Sequence, residues 1–118
     1  MSEIIRMDGE ARGSRVVIHN GIVYLAGVTA PDREQDIGGQ TTQVLDRIDA
    51  YLERAGTDKT RLLTAQIWLR DIERDFAGMN AVWDHWTAPH ASPTRATVQS
   101  SMASTPTLVE IVVTAALP

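Results

Sequence analysis

The chain has 118 residues, no cysteine and a formal net charge of −4 at pH 7. This length suits a single domain, which we expect to span residues 1–118. The lack of cysteine excludes disulfides, thiol nucleophiles and thiolate metal sites, and the acidic balance argues against a surface for nucleic acid. The opening segment MSEIIRMDGE is too polar for a signal peptide, and no apolar run approaches the ~18–20 residues of a membrane span. We therefore expect a cytoplasmic protein that does not contact a membrane.

The first half of the chain predicts short strands followed by a helix. EIIRM is a candidate opening strand, and RVVIHNGIVYLAGV has two β-branched runs around Asn20 and Gly21. Because Asn-Gly tolerates the positive φ angles of a type I′ turn, this segment predicts a β-hairpin. After the polar loop TAPDREQD, apolar residues recur three and four positions apart, with Asp36 as the expected N-cap and Gly56 just beyond the end. The predicted helical stripe consists of Ile37, Thr41, Val44, Leu45, Ile48, Tyr51, Leu52 and Ala55.

The second half predicts a strand, a helix and two further strands. LLTAQIWLRDI alternates, and its expected apolar face consists of Leu63, Ala65, Ile67 and Leu69. A second helix follows, with Asp75 as the predicted N-cap and an apolar stripe of Phe76, Met79, Val82, Trp83 and Trp86. The loop TAPHASPT ends this helix, and RATVQSSM and LVEIVVTAAL predict the closing strands.

This order of elements predicts an α+β fold with two helices on one face of a sheet. The other face has no helix left to cover it. We expect it to carry Thr64, Gln66, Trp68, Thr97, Gln99, Glu110, Val112 and Thr114. Such a half-polar face indicates packing against other copies of the chain; an ordinary solvated antiparallel face is the alternative.

Arg95 is the first candidate for a functional role, because it opens a strand directly after the loop that contains Pro93. Its side chain is expected on the same face as Thr97 and Gln99. The planar guanidinium group matches a carboxylate with two hydrogen bonds, so Arg95 is a candidate anion clamp. The alternative is a solvated arginine at a strand end.

Three further residues are candidates, each with a structural alternative. Glu110 lies in the apolar strand LVEIVVTAA, where an isolated carboxylate either has a catalytic role or reaches water from an edge strand. Asn80 places an amide on the apolar stripe of the second helix, where it binds a ligand or a loop carbonyl. Gly27 lets a ligand approach the backbone or simply ends its strand. The three histidines show no spacing typical of metal ligands, and we expect no metal or organic cofactor.

Taken together and in order, several motifs resemble the RidA/YjgF family of small imine-handling proteins. They are VYLAG, QTTQVLDRIDAYLERAG, WLRDIERDFAGMNAVWDHW, PTRATV and LVEIVVTAA, and the match runs from about Gly13 to Leu117. The resemblance implies a chorismate-mutase-like α+β fold with a mixed sheet, assembled as a homotrimeric barrel with ligand clefts between subunits. It also implies hydrolysis of reactive 2-imino acids or their enamine tautomers to 2-keto acids and ammonia, without a metal or organic cofactor.

The resemblance also assigns roles to individual residues. Arg95 matches the arginine that binds the substrate carboxylate, and Glu110 matches the glutamate near the attacking water. Gly27 matches a glycine whose backbone lines the pocket, with Ala26 beside it where relatives often have serine. Asn80 matches a pocket-supporting asparagine. Thr97 occupies the place where many relatives carry cysteine, and its backbone carbonyl is expected to help hold a water.

One position departs from the family pattern. Deaminating members commonly carry a substrate-contacting tyrosine in an early G-P-Y motif, where this chain has Gly13 or Ser14. Two alternatives to imine hydrolysis therefore stay open. One is a trimer that binds small carboxylates without catalysis, and the other is a hydrolase of a related nitrogenous intermediate.

Overall fold

A computed structural model describes residues 3–118 and contains a six-stranded mixed sheet with two α-helices. The elements are β1 (Ile4–Met7), β2 (Val16–His19), β3 (Ile22–Leu25), α1 (Ile37–Ala55), β4 (Leu62–Leu69), α2 (Ile72–Trp86), β5 (Thr94–Gln99) and β6 (Val109–Ala116), with a 3₁₀ turn at Lys59–Arg61. The strand order is β1-β2-β3-β6-β4-β5, in which β4 and β5 are parallel and all other neighbours are antiparallel. The predicted α+β class with two helices is therefore confirmed. Within residues 3–118, no helix is long and apolar enough to cross a membrane.

The hairpin and the first helix form where local sequence predicts them. Asn20 and Gly21 have φ angles of 51° and 78°, as a type I′ turn requires. The Asp36 carboxylate accepts a hydrogen bond from the Gly39 N–H at 2.9 Å, and Gly56 ends α1 in the left-handed region at a φ of 92°. Both predicted caps of α1 are confirmed.

The predicted start of α2 is wrong. Asp71, not Asp75, is the N-cap, and its carboxylate accepts from the Arg74 N–H at 3.1 Å. Asp75 lies inside the first turn, where it is 3% exposed and paired with the Arg74 guanidinium. The predicted start is late because Ile72 was included in the strand segment LLTAQIWLRDI, whereas it is the first residue of the helix. Phe76 was expected in the buried stripe but is 42% exposed.

The predicted inner face of β4 is wrong at its first residue. The pairing of β4 with β6 shifts register between Leu62 and Thr64. This irregularity reverses the alternation at the start of the strand, so Leu62 is buried and Leu63 is 40% exposed. From Ala65 onward the predicted face is confirmed.

The predicted face of β5 also needs correction. In the parallel ladder, Arg95 pairs with Ala65, Thr97 with Ile67 and Gln99 with Leu69. The three partners in β4 belong to the core beneath the helices, and paired residues point to the same side of a sheet. Therefore Arg95, Thr97 and Gln99 lie on the helix-covered face.

The uncovered face mixes polar and apolar side chains. It is formed by Tyr24, Thr64, Gln66, Trp68, Thr94, Ala96, Val98, Glu110, Val112 and Thr114. Tyr24 and Val98 are both 45% exposed. On the opposite side, α1 and α2 cover a core in which Leu45, Ile48, Ile67, Met79 and Ile111 are fully buried.

Candidate functional site

A cluster formed by Arg95, Asn80 and Trp83, the Arg95 cluster, lies where β5 packs beside α2. The Arg95 Nη1 donates a hydrogen bond to the Asn80 Oδ1 at 2.7 Å. The guanidinium carbon lies 5.5 Å from the centroid of the Trp83 ring, a cation–π distance. The guanidinium is therefore held on two sides although Arg95 is exposed, and most of its five donors are left for a ligand. Asn80 binds this arginine and not a loop carbonyl.

Thr97 lies two residues beyond Arg95 on the same face. Its hydroxyl is buried, and none of residues 3–118 forms a hydrogen bond with it. Within residues 3–118, the strand β5 lies at the edge of the sheet and pairs with β4 alone. An unpaired row of backbone groups is a ready place for a further chain or a ligand to bind.

A second cluster, the Glu110 cluster, comprises Glu110, Gly27 and Ala26. A methyl group built on Gly27 would overlap the Glu110 carboxylate, so this glycine leaves the space that the carboxylate occupies. Val28 and Ile111 exchange two backbone hydrogen bonds of 2.9 and 3.1 Å, which hold this segment against β6. Among the described residues, no group accepts a hydrogen bond from the Gly27 N–H, which leaves that donor for a ligand.

Two arginines and a tyrosine hold the backbone on the other side of Gly27. The Arg15 Nη2 donates to the Gly27 carbonyl at 2.9 Å, and the Arg47 Nη1 donates to the Thr29 carbonyl at 2.7 Å. The Tyr51 ring lies 5.4 and 5.8 Å from the Arg15 and Arg47 guanidinium carbons. Burial alone would raise the pKa of the Tyr51 hydroxyl. The hydrogen bond that it accepts from the Arg47 Nη2 at 3.1 Å and the nearby Arg15 guanidinium outweigh burial and leave that pKa below its usual value. The contacts of Arg15, Arg47 and Tyr51 therefore hold the Gly27–Thr29 segment in place.

The two clusters do not meet within one chain. Glu110 pairs with Trp68 on the uncovered face, whereas Arg95 lies on the helix-covered face. Two strand spacings and three residues separate their backbones, which is roughly 14 Å. A cleft of about 170 Å³ beside Glu110 is lined by Trp68, Ser100, Ser101, Met102 and Glu110 itself. Thus Asn80 and Thr97 lie with Arg95, while Ala26 and Gly27 lie with Glu110.

Sequence reasoning missed the contributions of Trp83 and Arg15. Trp83 was assigned only to the core stripe, although its spacing of three from Asn80 places both side chains on one helix face. Arg15 carries no local signal, because its partner carbonyl lies twelve residues away across the hairpin. In residues 3–118, no group of three or more His, Asp or Glu side chains is arranged to hold a metal ion.

Comparison with known proteins places these observations in a family. A family model described as Endoribonuclease L-PSP matches residues 4–117. The chain is 44% identical over 114 residues to a RutC family protein of Haemophilus ducreyi, covering 97% of both chains. It is 43% identical to the RutC family protein YoaB of Escherichia coli, covering 97% of this chain and 98% of the relative.

Solved structures agree with this relationship. A crystal structure of a YjgF family member from Neisseria meningitidis superposes with a TM-score of 0.94 at 38% identity, covering 98% of this chain and 96% of that one. A protein from Pseudomonas aeruginosa superposes with a TM-score of 0.95 at 35% identity, covering 98% and 100%. As its motifs predict, the chain belongs to the RutC/YjgF family, which the Endoribonuclease L-PSP family model describes.

Proposed function

We propose that the protein hydrolyses 2-imino acids, or their enamine tautomers, to 2-keto acids and ammonia. The observation that carries this proposal is the Arg95 guanidinium, held by Asn80 and Trp83 with donors left over at a sheet edge. A fixed guanidinium recognises a carboxylate through two parallel charge-assisted hydrogen bonds. Every 2-imino acid carries such a carboxylate next to its electrophilic carbon.

The proposed site lies between copies of the chain in a homotrimer. Arg95, Asn80 and Thr97 come from one subunit, and Gly27, Ala26 and Glu110 come from its neighbour. Two features support this arrangement: the half-apolar uncovered face, and the separation of the two clusters on opposite faces of one sheet. Assembly around the uncovered face would bury Tyr24 and Val98.

The reaction requires little activation of the substrate, because the carbon of a protonated imine is already electrophilic. Arg95 holds the carboxylate so that the imine carbon faces a water molecule. Glu110 orients that water, with help from the Thr97 carbonyl, and accepts a proton as the oxygen bonds to the carbon. Glu110 then gives this proton to the nitrogen. As the carbon–nitrogen bond breaks and ammonia leaves, Glu110 accepts the remaining hydroxyl proton, the ketone forms, and the proton is released to solvent. The Gly27 N–H is available to the substrate carboxylate.

The departure at Gly13 shapes the substrate range in this proposal. A side chain built on Gly13 meets no atom within 4 Å, and the adjoining cleft of about 260 Å³ is lined by Glu10, Arg12, Gly13, Ser14, Arg15 and Ala26. Relatives fill this space with tyrosine according to the family pattern. The open cleft therefore gives room for larger substrates than a tyrosine would allow.

The test generates imines in situ from an amino acid with an amino-acid oxidase and traps them with semicarbazide. We expect the protein to lower the yield of semicarbazone and to raise the rate of 2-keto acid formation. Arg95→Ala should lower this activity by about a hundredfold or more, because the carboxylate loses its charge-assisted partner. Glu110→Gln should lower kcat more than it weakens binding of a 2-keto acid.

Binding and turnover together separate the alternatives. A wild-type protein that binds 2-keto acids through Arg95 but never lowers the semicarbazone yield would be a carboxylate-binding protein, and the catalytic proposal would fail. Full activity of Arg95→Ala would show that the clamp is assigned to the wrong residue. The description of the family model includes an endoribonuclease, but the net charge of −4 works against binding of an RNA backbone.

A further inference from the structure

Arg70 lies close to Glu110 on the uncovered face of the same chain. It directly follows β4, and its N–H donates to the Leu108 carbonyl at 3.0 Å, which extends the ladder with β6 by one step. Glu110 pairs with Trp68, two residues before Arg70. Arg70 is therefore the diagonal cross-strand neighbour of Glu110, with backbones about 7–8 Å apart.

Arg70 and Glu110 carry opposite charges but do not form an ion pair with each other. Among residues 3–118, neither the Arg70 guanidinium nor the Glu110 carboxylate forms an ion pair. Neither side chain forms a hydrogen bond with those residues, whereas Arg95 binds Asn80. Both residues are half-buried. Half-buried charges without partners are unfavourable unless another molecule provides the partner.

Arg70 lines a cleft that shares two lining residues with the cleft beside Glu110. It has a volume of about 370 Å³ and is lined by Arg70, Gln99, Ser100 and Ser101, and we call it the Arg70 cleft. Ser100 and Ser101 also line the cleft beside Glu110. The Gln99 Oε1 accepts from the Ile72 N–H at 3.0 Å, which leaves the Gln99 amide nitrogen free to donate.

We propose that the Arg70 cleft binds a second acidic group of the substrate, so that the favoured substrates are 2-imino dicarboxylic acids, the imines of acidic amino acids. This inference rests on the proposed function, in which Arg95 of a neighbouring subunit holds the first carboxylate. In this arrangement Glu110 lies between Arg70 of its own subunit and Arg95 of the neighbouring subunit. Arg70 and the Gln99 amide supply planar donors that match a carboxylate.

Succinate and butyrate test this inference by calorimetric titration of the assembled protein, because they have the same chain length and differ by one carboxylate. We expect wild type to bind succinate about tenfold more tightly than butyrate. Arg70→Gln should remove this preference by weakening succinate alone. Arg61→Gln is the matched control, since Arg61 is an exposed arginine at the opposite end of β4 and donates to the Leu117 carbonyl, and it should leave both affinities unchanged.

Four results would overturn the inference. Equal affinities for succinate and butyrate in wild type would show that no second carboxylate is recognised. Equal weakening of both ligands by Arg70→Gln, or dissociation of the oligomer on size-exclusion chromatography, would show that Arg70 is a structural residue. Inorganic phosphate that displaces succinate at the same concentration would show an unselective anion site.

Turnover separates this inference from the proposed function. With imines made from aspartate and from alanine, Arg70→Gln should lower kcat/KM about tenfold for the aspartate product only. If wild type hydrolyses neither imine but keeps its succinate preference, the proposed function fails and the Arg70 cleft stands as a dicarboxylate site. If wild type hydrolyses both imines and Arg70→Gln changes neither rate, the proposed function stands and this inference fails.

Discussion

The Arg95 cluster and the Glu110 cluster are built in different ways. Side chains from α2 hold the Arg95 guanidinium, through a hydrogen bond from Arg95 to Asn80 and a cation–π contact with Trp83. Backbone geometry forms the Glu110 cluster instead, because Gly27 leaves room for the carboxylate and Arg15 grips the Gly27 carbonyl. The first cluster positions a cation, and the second positions a carboxylate beside a free N–H.

The sheet separates these clusters on its two faces, so in the proposed trimer each chain would supply two half-sites. Residues that the family motifs assign to one site therefore need not lie close together within one subunit. This difference predicts that changes in the Glu110 cluster affect turnover, while changes in the Arg95 cluster affect binding of the carboxylate.

The largest effect is expected from Gly27→Ala. The added methyl group overlaps the Glu110 carboxylate and must displace it. We expect kcat to fall at least about tenfold, because small displacements of a catalytic group carry large kinetic effects. The displaced atoms end a flexible side chain, so the free energy of unfolding should change by only about 1 kcal/mol. Steady-state kinetics and urea unfolding measure the two quantities.

Gly38→Ala is the matched control for Gly27→Ala, because Gly38 lies in the first turn of α1 and in neither cluster. Its new methyl group makes only an ordinary contact, 3.6 Å from the Asp36 carboxylate, so kcat should match that of wild type and stability should stay equal or rise by up to about 1 kcal/mol. If Gly27→Ala also keeps its kcat, the Glu110 carboxylate has no fixed role in turnover.

An intermediate effect is expected from Asn80→Ala. The variant removes the acceptor that orients the Arg95 guanidinium but leaves the charge in place. Because Arg95 is exposed, we expect a rise in KM of about three- to tenfold with little change in kcat. Asp84→Ala, an exposed change on the same helix, should behave as wild type. A fall in kcat at constant KM would contradict the positioning role of Asn80.

A smaller effect concerns the ionisation of Tyr51. Because Arg15 and Arg47 hold its pKa below the usual value in the folded protein, folding favours the ionised form. This stabilisation is present above the unfolded-state pKa of about 10 and disappears as the pH falls through the folded-state value. A titration of tyrosinate absorbance should show a step below pH 10 that Tyr51→Phe removes and Tyr24→Phe keeps. A step that survives in Tyr51→Phe would contradict the claim that Arg15 and Arg47 lower the pKa of Tyr51.

The smallest effect is expected from Thr97→Val. The change keeps the shape of the side chain and removes a buried hydroxyl that lacks a partner within residues 3–118. The free energy of unfolding should stay equal or rise by up to about 1 kcal/mol, and activity should persist because only the backbone carbonyl is invoked. A clear loss of stability in thermal unfolding would show that the hydroxyl has a partner in the assembled protein.

Local signals predicted much of this fold. The Asn20-Gly21 turn and the caps of α1 depend on residues next to one another, so the sequence is sufficient to place them. The start of α2 was misplaced because the apolar repeat begins after the helix does, and Asp71 resembles a loop residue. Element type was therefore more predictable than element boundaries.

The candidate site was only partly predictable, because it depends on contacts between distant segments. Each candidate residue lies in one of the two clusters except Thr97, which lies beside Arg95 on the same face. The face of Arg95 was assigned wrongly because no residue of β5 is fully buried, so the sequence of this strand does not show which side faces the core. Its parallel register with β4 shows that Arg95 lies on the helix-covered face. The contacts of Trp83 and Arg15 join separate elements, so no single stretch of sequence reveals them.

Complementation between two inactive variants tests the central claim most directly. Arg95→Ala and Glu110→Gln are unfolded together in equal amounts, refolded, and assayed for imine hydrolysis beside each variant refolded alone. If the site joins Arg95 of one subunit to Glu110 of the next, random mixing restores an intact site at about one interface in four, and roughly a quarter of wild-type activity returns. Mixed oligomers that stay as inactive as the parent variants would contradict a site shared between subunits.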